Sequence, residues 1–224
     1  MNHYFALAVL LSGIFGAQEA VGPETVPVEK EPLHQTIFKN ESVWVIRLNL
    51  PAGERTLYHT HIHDRVAIEF TSTSITQQKI GENEQASRAT KPGGFSALTI
   101  GDSPFTHRVH NVGAAPYAVM DVEILQRPQG AAGPAAATIA AENPSARVYN
   151  WVLAPGASSA MHSHARPYLI VAATAFNLKM AARDGKTFTH ELKAGDIHWV
   201  DAKVTHSLGN AGTAEGQILE VELK

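Results

Sequence analysis

The chain has 224 residues, a net charge of −3, 17% charged residues, twelve histidines and no cysteine. It can therefore form no disulfide, thiolate ligand or cysteine nucleophile, and with no cluster of Lys and Arg it is a poor partner for nucleic acid or an anionic membrane surface. Its length suits one large domain or two small ones.

Residues 1–20 (MNHYFALAVLLSGIFGAQEA) carry an apolar run from Ala6 to about Ala17. The run is short of the roughly 20 residues a bilayer needs, and is expected to be a signal peptide although its start lacks Lys and Arg. Cleavage near Ala17 or Ala20 would leave a secreted or periplasmic protein with no membrane segment, and the lack of cysteine suits an oxidising compartment. Residues 21–41 read as an extended N-terminal arm, with Pro, Gly and charges around three valines in VGPETVPVEKE.

Ser42–Leu50 (SVWVIRLNL) alternates as a half-buried strand, with Trp44, Ile46, Leu48 and Leu50 on one face. Pro51-Ala52-Gly53 then turns the chain into PAGERTLYHTHIHDRVAIE, Pro51–Glu69. Side chains two apart on a strand share a face, so His59 and His61 aim two imidazoles at one spot, half of a metal site. After the stretch QQKIGENEQASRATKPGG, with a turn at Gly81-Glu82-Asn83, His107 follows in THRVHNVG. Residues 127–144 (RPQGAAGPAAATIAAENP) shift to Ala, Gly and Pro and read as a linker.

Beyond it the pattern returns. Ala146–Leu153 (ARVYNWVL) and Pro155-Gly156 lead into APGASSAMHSHARPYLIVA, Ala154–Ala172, with His162 and His164. KMAARDGKTFTHELKAGD carries Asp184-Gly185, a type I′ turn signal, and His206 stands in THSLGNAG. The copies are offset by 103 at Gly53/Gly156, His59/His162 and His61/His164, and by 99 at His107/His206, Asn111/Asn210 and Gly113/Gly212. A four-residue difference in the intervening hairpin accounts for the change. A doubled Gly-x5-His-x-His followed by a doubled His-x3-Asn-x-Gly marks an internal duplication. Short strands, frequent turns and no long amphipathic helix make each copy an antiparallel all-β barrel or jelly roll. The domains are expected at residues 42–126 and 145–224, each small enough to need tight packing on the other.

These motifs resemble those of the cupins, and in particular the two-domain bicupins. Gly53, His59, His61 and Gly156, His162, His164 match the first cupin motif. Gly195, His206 and Asn210 match the second, with Asp201 and Lys203 where that motif has proline and glycine. In the first half only His107 and Asn111 fit the second motif, because Ser96 occupies the spaced glycine position and Gly94 comes two residues early. The resemblance implies two tandem double-stranded β-helix barrels, each binding a metal through three histidines: His59, His61 and His107 in one, His162, His164 and His206 in the other. The family's motif glutamate is replaced by Arg65 or Val66 in the first half and by Tyr168 or Leu169 in the second, so neither site is expected to have a carboxylate. Family members that act on oxalate use a three-histidine, one-glutamate manganese site, which argues against that activity. Members with histidines alone include iron dioxygenases that cleave carbon–carbon bonds in diketones. Cupins also often pair through barrel edges, so a monomer and a homodimer both stay open.

A neutral three-nitrogen set suits Fe(II), Zn, Ni or Cu, with Mn the metal of the oxalate enzymes, and leaves positions open for water or substrate. With its +2 charge unneutralised, such a centre favours an anionic or enolisable small molecule. Arg65 could hold a substrate carboxylate and Tyr168 could donate a phenol hydrogen bond, the two candidate catalytic residues. His63 shares parity with His61, as a fourth ligand or as a group turned outward by a bulge. Asn111 and Asn210 read as turn residues, with Gly113 and Gly212 tolerating positive φ, and Trp44, Trp151 and Trp199 as barrel core. Two functions remain in view: a metal-dependent, dioxygenase-like oxidoreductase, or a non-catalytic cupin that binds or stores a small molecule or metal. A zinc isomerase or hydrolase is a lesser third.

Overall fold

Alternation along the strands decides the architecture. The computed structural model describes residues 23–201 and 203–224, so the expected signal peptide lies outside the described residues. In the first half the strands are β1 (Thr25–Pro27), β2 (His34–Lys39), β3 (Val43–Leu50), β4 (Tyr58–His61), β5 (Arg65–Glu69), β6 (Ser74–Lys79), β7 (Arg88–Ala89), β8 (Phe95–Leu98), β9 (Phe105–Asn111) and β10 (Tyr117–Ile124). They form two facing sheets, ordered β1-β4-β9-β6-β7 and β2-β3-β10-β5-β8. The second half repeats this with β11 (Ala141–Glu142), β12 (Ala146–Leu153), β13 (His162–His164), β14 (Tyr168–Ala172), β15 (Phe176–Ala182), β16 (Thr187–Leu192), β17 (Ile197–Val200), β18 (Val204–Asn210) and β19 (Gly216–Leu223). Its sheets run β11-β12-β19-β14-β17 and β13-β18-β15-β16. The pairing is antiparallel except for β1, which joins β4 in parallel. No helix among the described residues is long and apolar enough to cross a membrane.

Trp44, Ile46, Leu48 and Leu50 share the buried inward face of β3, while Val43 and Val45 face the other way into a second core. That second core joins the halves: Val66, Ile68, Met120 and Val122 pack with Val148, Leu169, Val171 and Leu219. A strand covered on both faces has no polar side, which is why β14 reads YLIVA without alternation. Each such side chain contributes about 1.5–3 kcal/mol when fully buried. Hydrogen bonds repeat across the join, with Arg47 Nη2 donating to Gly195 O at 2.7 Å and Gln217 Nε2 to Gly93 O at 3.0 Å. Trp199 stacks on Phe38 at 6.2 Å in this seam instead of entering the barrel. Asp64 ties the first barrel to the start of the second, accepting from Ser145 Oγ at 2.6 Å, Ile100 N at 2.8 Å and Arg127 Nη2 at 3.3 Å.

Strand register corrects four details of the sequence analysis. Arg65 pairs with Leu98 and Tyr168 with Val200, so β8 and β17 are offset by 102 where β5 and β14 are offset by 103. The four-residue difference is therefore split, one residue before β8 and β17 and three in the turn between β8 and β9. The same register makes Gly93 the counterpart of Gly195, with φ of +77° and +86°. Lys203, at the motif's second glycine position, has φ 71°. The Asp184-Gly185 turn is not type I′, since only Gly185 has positive φ. Gly185 N bonds Ala182 O at 3.0 Å and Ala182 N bonds Lys186 O at 2.9 Å, a three-residue loop closed by a left-handed glycine. Gly113 and Gly212 are not at positive φ; they are glycine for space, as a Cβ on Gly113 would come within 2.1 Å of Thr73 Oγ1.

Candidate metal centres

In the first half, β4 and β9 place His59 opposite His107, and His61 follows two residues on. The three buried rings have centroids 4.6–5.2 Å apart, and ligand nitrogens lie within 4.8 Å of one another. His59 Nδ1–H donates to Leu57 O at 3.0 Å, and His61 Nδ1 lies 2.6 Å from Glu123 Oε1. Such contacts on the far nitrogen hold an imidazole with Nε2 turned to a metal. His61 Nε2 and both nitrogens of His107 are buried without a hydrogen-bond partner. Orphaned polar atoms of this kind are costly, and a divalent cation would take up their lone pairs, so the residues fit a transition metal. Burial, then the neighbouring His34 and Arg65, lowers the pKa of His59 to about 3. Burial also lowers His61 and His107, so all three are in the neutral, ligating form. Burial raises Glu123 to about 8, with Asp121 adding to the effect.

A cavity of about 520 Å³ opens on this centre and touches His59 and His107. Inward positions run Arg65, Ala67, Glu69 along β5 and Asp121, Val119, Tyr117 along β10. The cavity thus passes from a charged layer near the histidines, through an apolar belt, to a second polar layer where Arg88 pairs with Glu69 at 2.6 Å. Arg65 donates to Asp121, yet its Nε keeps no partner. Arg65, Arg88 and Lys91 outnumber the carboxylates Glu69 and Asp121 by one. His34 of the N-terminal arm also lines the wall, its Nδ1–H donating to Val28 O at 3.1 Å.

The second half differs. His162 pairs with His206 across β13 and β18, and His164 joins them. Contrary to the expectation that neither site has a carboxylate, Glu220 completes this set. It comes from β19 and not from the motif position, which is why motif spacing misses it. Glu220 Oε2 is 3.1 Å from His162 Nε2, and Oε1 is 3.1 Å from His206 Nε2 and 3.3 Å from His164 Nε2. Trp151 Nε1–H donates to Oε2 at 2.7 Å, and Glu222 holds His164 Nδ1 at 3.2 Å as Glu123 holds His61. Burial resists charge here, but the close approach of the three histidines, with His162 Nε2 in hydrogen-bond geometry, keeps Glu220 well below the usual carboxylate range. Glu220 and Glu222 likewise outweigh burial at His164 and raise it to about 9.

Arg65 and Tyr168 occupy equivalent positions but different surroundings. Arg65 lines the large cavity, whereas Tyr168 is fully buried, stacked on His164 at 3.9 Å with its hydroxyl 3.3 Å from His206 Nε2. Neither cavity bordering a histidine centre is lined by Tyr168. His63 follows the end of β4 in a bend, outside the metal cluster, and lines a separate surface cleft. A signal for the acidic residues was present in the sequence. Asp121-Val122-Glu123 and Glu220-Val221-Glu222 recur at the 99-residue offset, acids at alternate positions of otherwise apolar strands.

No family model matches the chain. A curated relative, beta-alanine degradation protein BauB of Pseudomonas aeruginosa, is 32% identical over 87 residues, 39% of this chain and 90% of the relative. A cupin 2 conserved barrel domain protein from Leptotrichia buccalis shares the fold, with 15% identity, a TM-score of 0.51, and 85% of this chain and 88% of that one covered. A salicylate 1,2-dioxygenase from Pseudaminobacter salicylatoxidans is similar at 12% identity and a TM-score of 0.54, over 81% of this chain and 71% of that one. The chain thus has the cupin fold, with two such barrels in tandem.

Proposed function

We propose that the chain is a metal-dependent oxidoreductase of dioxygenase type whose reaction takes place in the first half, on a small anionic or enolisable compound. The observation that carries this reading is the 520 Å³ cavity meeting a three-histidine centre with Arg65 beside it. A redox metal bound there would supply the chemistry of joining dioxygen to substrate, and a dioxygenation draws its electrons from the substrate, so no outside reductant is needed. The chain's own residues do the rest. His59, His61 and His107 hold the metal, and Glu123 orients His61. Arg65, whose Nε is unpaired, holds a substrate carboxylate, and the belt of Leu48, Ala67 and Val119 keeps water from the reacting end. Tyr168 acts in the second half by positioning His164 and His206.

The dioxygenase relative is named for salicylate, and the curated relative for β-alanine degradation; both names point to small carboxylates as the first compounds to try. Export after removal of residues 1–20 belongs to the same proposal, supported by the apolar run at Ala6–Ala17. The test is oxygen uptake by the Fe(II)-loaded chain with a panel of hydroxy acids, β-amino acids and diketones. Uptake with one of them, abolished in His59→Ala/His61→Ala and weakened in Arg65→Ala by a rise in KM, is expected. A ligand that binds the cavity and is recovered intact, with no uptake, would make the chain a binding or storage cupin instead.

A further inference from the structure

The two centres share the carboxylate behind His61 and His164 but differ in the other layers around their histidines. In the first, the position of Glu220 is held by Asp121, which is tied to Arg65 and does not join the ligand cluster. In the second, Tyr168 replaces Arg65, no cation holds the acid back, and Glu220 turns to the histidines. The barrel interior changes with it. Ala67 is matched by Ile170, Thr90 by Leu192, Val109 by Leu208 and Val119 by Ile218, all four fully or nearly fully buried. These side chains occupy the volume that is cavity in the first half. The 330 Å³ cavity beside the second centre lies under the linker residues Ala136–Thr138 and borders His162 alone among the four ligands.

We propose that the second half carries a closed, four-ligand structural metal centre, His162, His164, His206 and Glu220, which stabilises the fold and takes no substrate. Structural zinc sites are four-coordinate and closed, while catalytic ones keep a position open. A tetrahedron with metal–ligand bonds of about 2.0–2.1 Å has edges of about 3.4 Å. Glu220 Oε1 lies 3.1 and 3.3 Å from Nε2 of His206 and His164, close to that edge, while the 3.1 Å approach to His162 Nε2 is made by the other oxygen, Oε2. The His164 Nε2 and Glu220 Oε1 pair lacks hydrogen-bond geometry despite its distance, so these atoms converge on a shared point instead of bonding to each other. This role stands whether or not the first half turns over a substrate.

Cobalt substitution of the full chain tests it. With His59→Ala/His107→Ala removing the first centre, one equivalent of Co(II) should give the intense visible bands of a tetrahedral site, unmoved by azide, and should raise Tm. Glu220→Gln in that background should lose those bands and weaken binding on the order of tenfold or more. Bands that shift with azide, a Tm indifferent to metal, or an unchanged spectrum in Glu220→Gln would overturn the proposal. Should the double variant not fold, the wild-type chain loaded with two equivalents of zinc decides. One equivalent leaving to chelator at once and the other only with unfolding supports the closed centre, and two equally fast equivalents refute it. The converse variant, His162→Ala/His164→Ala, reports the first half separately.

Discussion

Asp64 shows how one side chain couples two barrels. Its carboxylate is nearly fully buried and accepts from Ser145, Ile100 N, Gly101 N and Arg127. Burial alone would raise its pKa, but these donors, Ser145 first, hold it below the ordinary value. A depressed carboxylate contributes stability above its unfolded pKa of about 3.9 and loses it as pH falls through the folded pKa. Asp64→Asn is therefore expected to cost about 1–3 kcal/mol at pH 7. The difference from wild type should shrink below about pH 4. Urea unfolding at pH 7 and pH 3 measures both, and an equal difference at the two pH values would contradict this origin. A second residue, Glu123, is expected to act through His61: Glu123→Gln should weaken metal binding in the first half about 10- to 100-fold, read by chelator competition. Such residues lie outside the histidine motifs. The six histidines were legible because a two-residue period, a duplicated pattern and a known motif announce them, whereas Glu220, Asp121 and Glu123, though also duplicated, belong to no motif and reach the sites from a strand about fifteen residues away in sequence.

The elements repeat more faithfully than the sites do. In both halves an asparagine ends the strand that bears the third histidine, and each fastens that strand to one neighbour and to the turn that follows. Asn111 Nδ2 donates to Leu50 O at 3.0 Å and Ala115 O at 2.9 Å, and Asn210 Nδ2 to Leu153 O and Ala214 O, both at 2.8 Å. Their Oδ1 atoms accept from Gly113 N and Gly212 N. Removing either side chain orphans backbone groups at a buried turn, so Asn111→Ala and Asn210→Ala should each cost about 2–3 kcal/mol, and by similar amounts. Thermal unfolding of the two variants checks this; a large cost at one and none at the other would break the equivalence. Strand β3 and the histidine strands follow directly from alternation. The turns were harder to read, because a glycine serves either a positive φ, as at Gly195, or a lack of room, as at Gly113, and spacing does not distinguish the two.

At the scale of the whole molecule, one apolar seam binds the barrels, built from Val66, Ile68, Met120 and Val122 on one side and Leu169, Val171, Leu219 and Val221 on the other. Halves that share a core should unfold together. Ile68→Ala is expected to cost about 2–5 kcal/mol and to lower a single calorimetric transition, without splitting off the second half. Two separate transitions would show that the barrels are independent. The duplication and the barrel class could be read from residues alone. The divergence of the halves could not, because it rests on small changes such as Ala67 against Ile170 and Arg65 against Tyr168, whose effect appears only when the barrel is closed around them.

Metal content decides most directly whether this is a metalloprotein with two centres of different kind. Elemental analysis of the untagged chain should find two equivalents of transition metal. His59→Ala/His61→Ala and His162→Ala/His164→Ala should each lose one, the second with a fall in Tm. A wild-type chain that holds no transition metal, and gains neither metal nor thermal stability when one is added, would contradict the account.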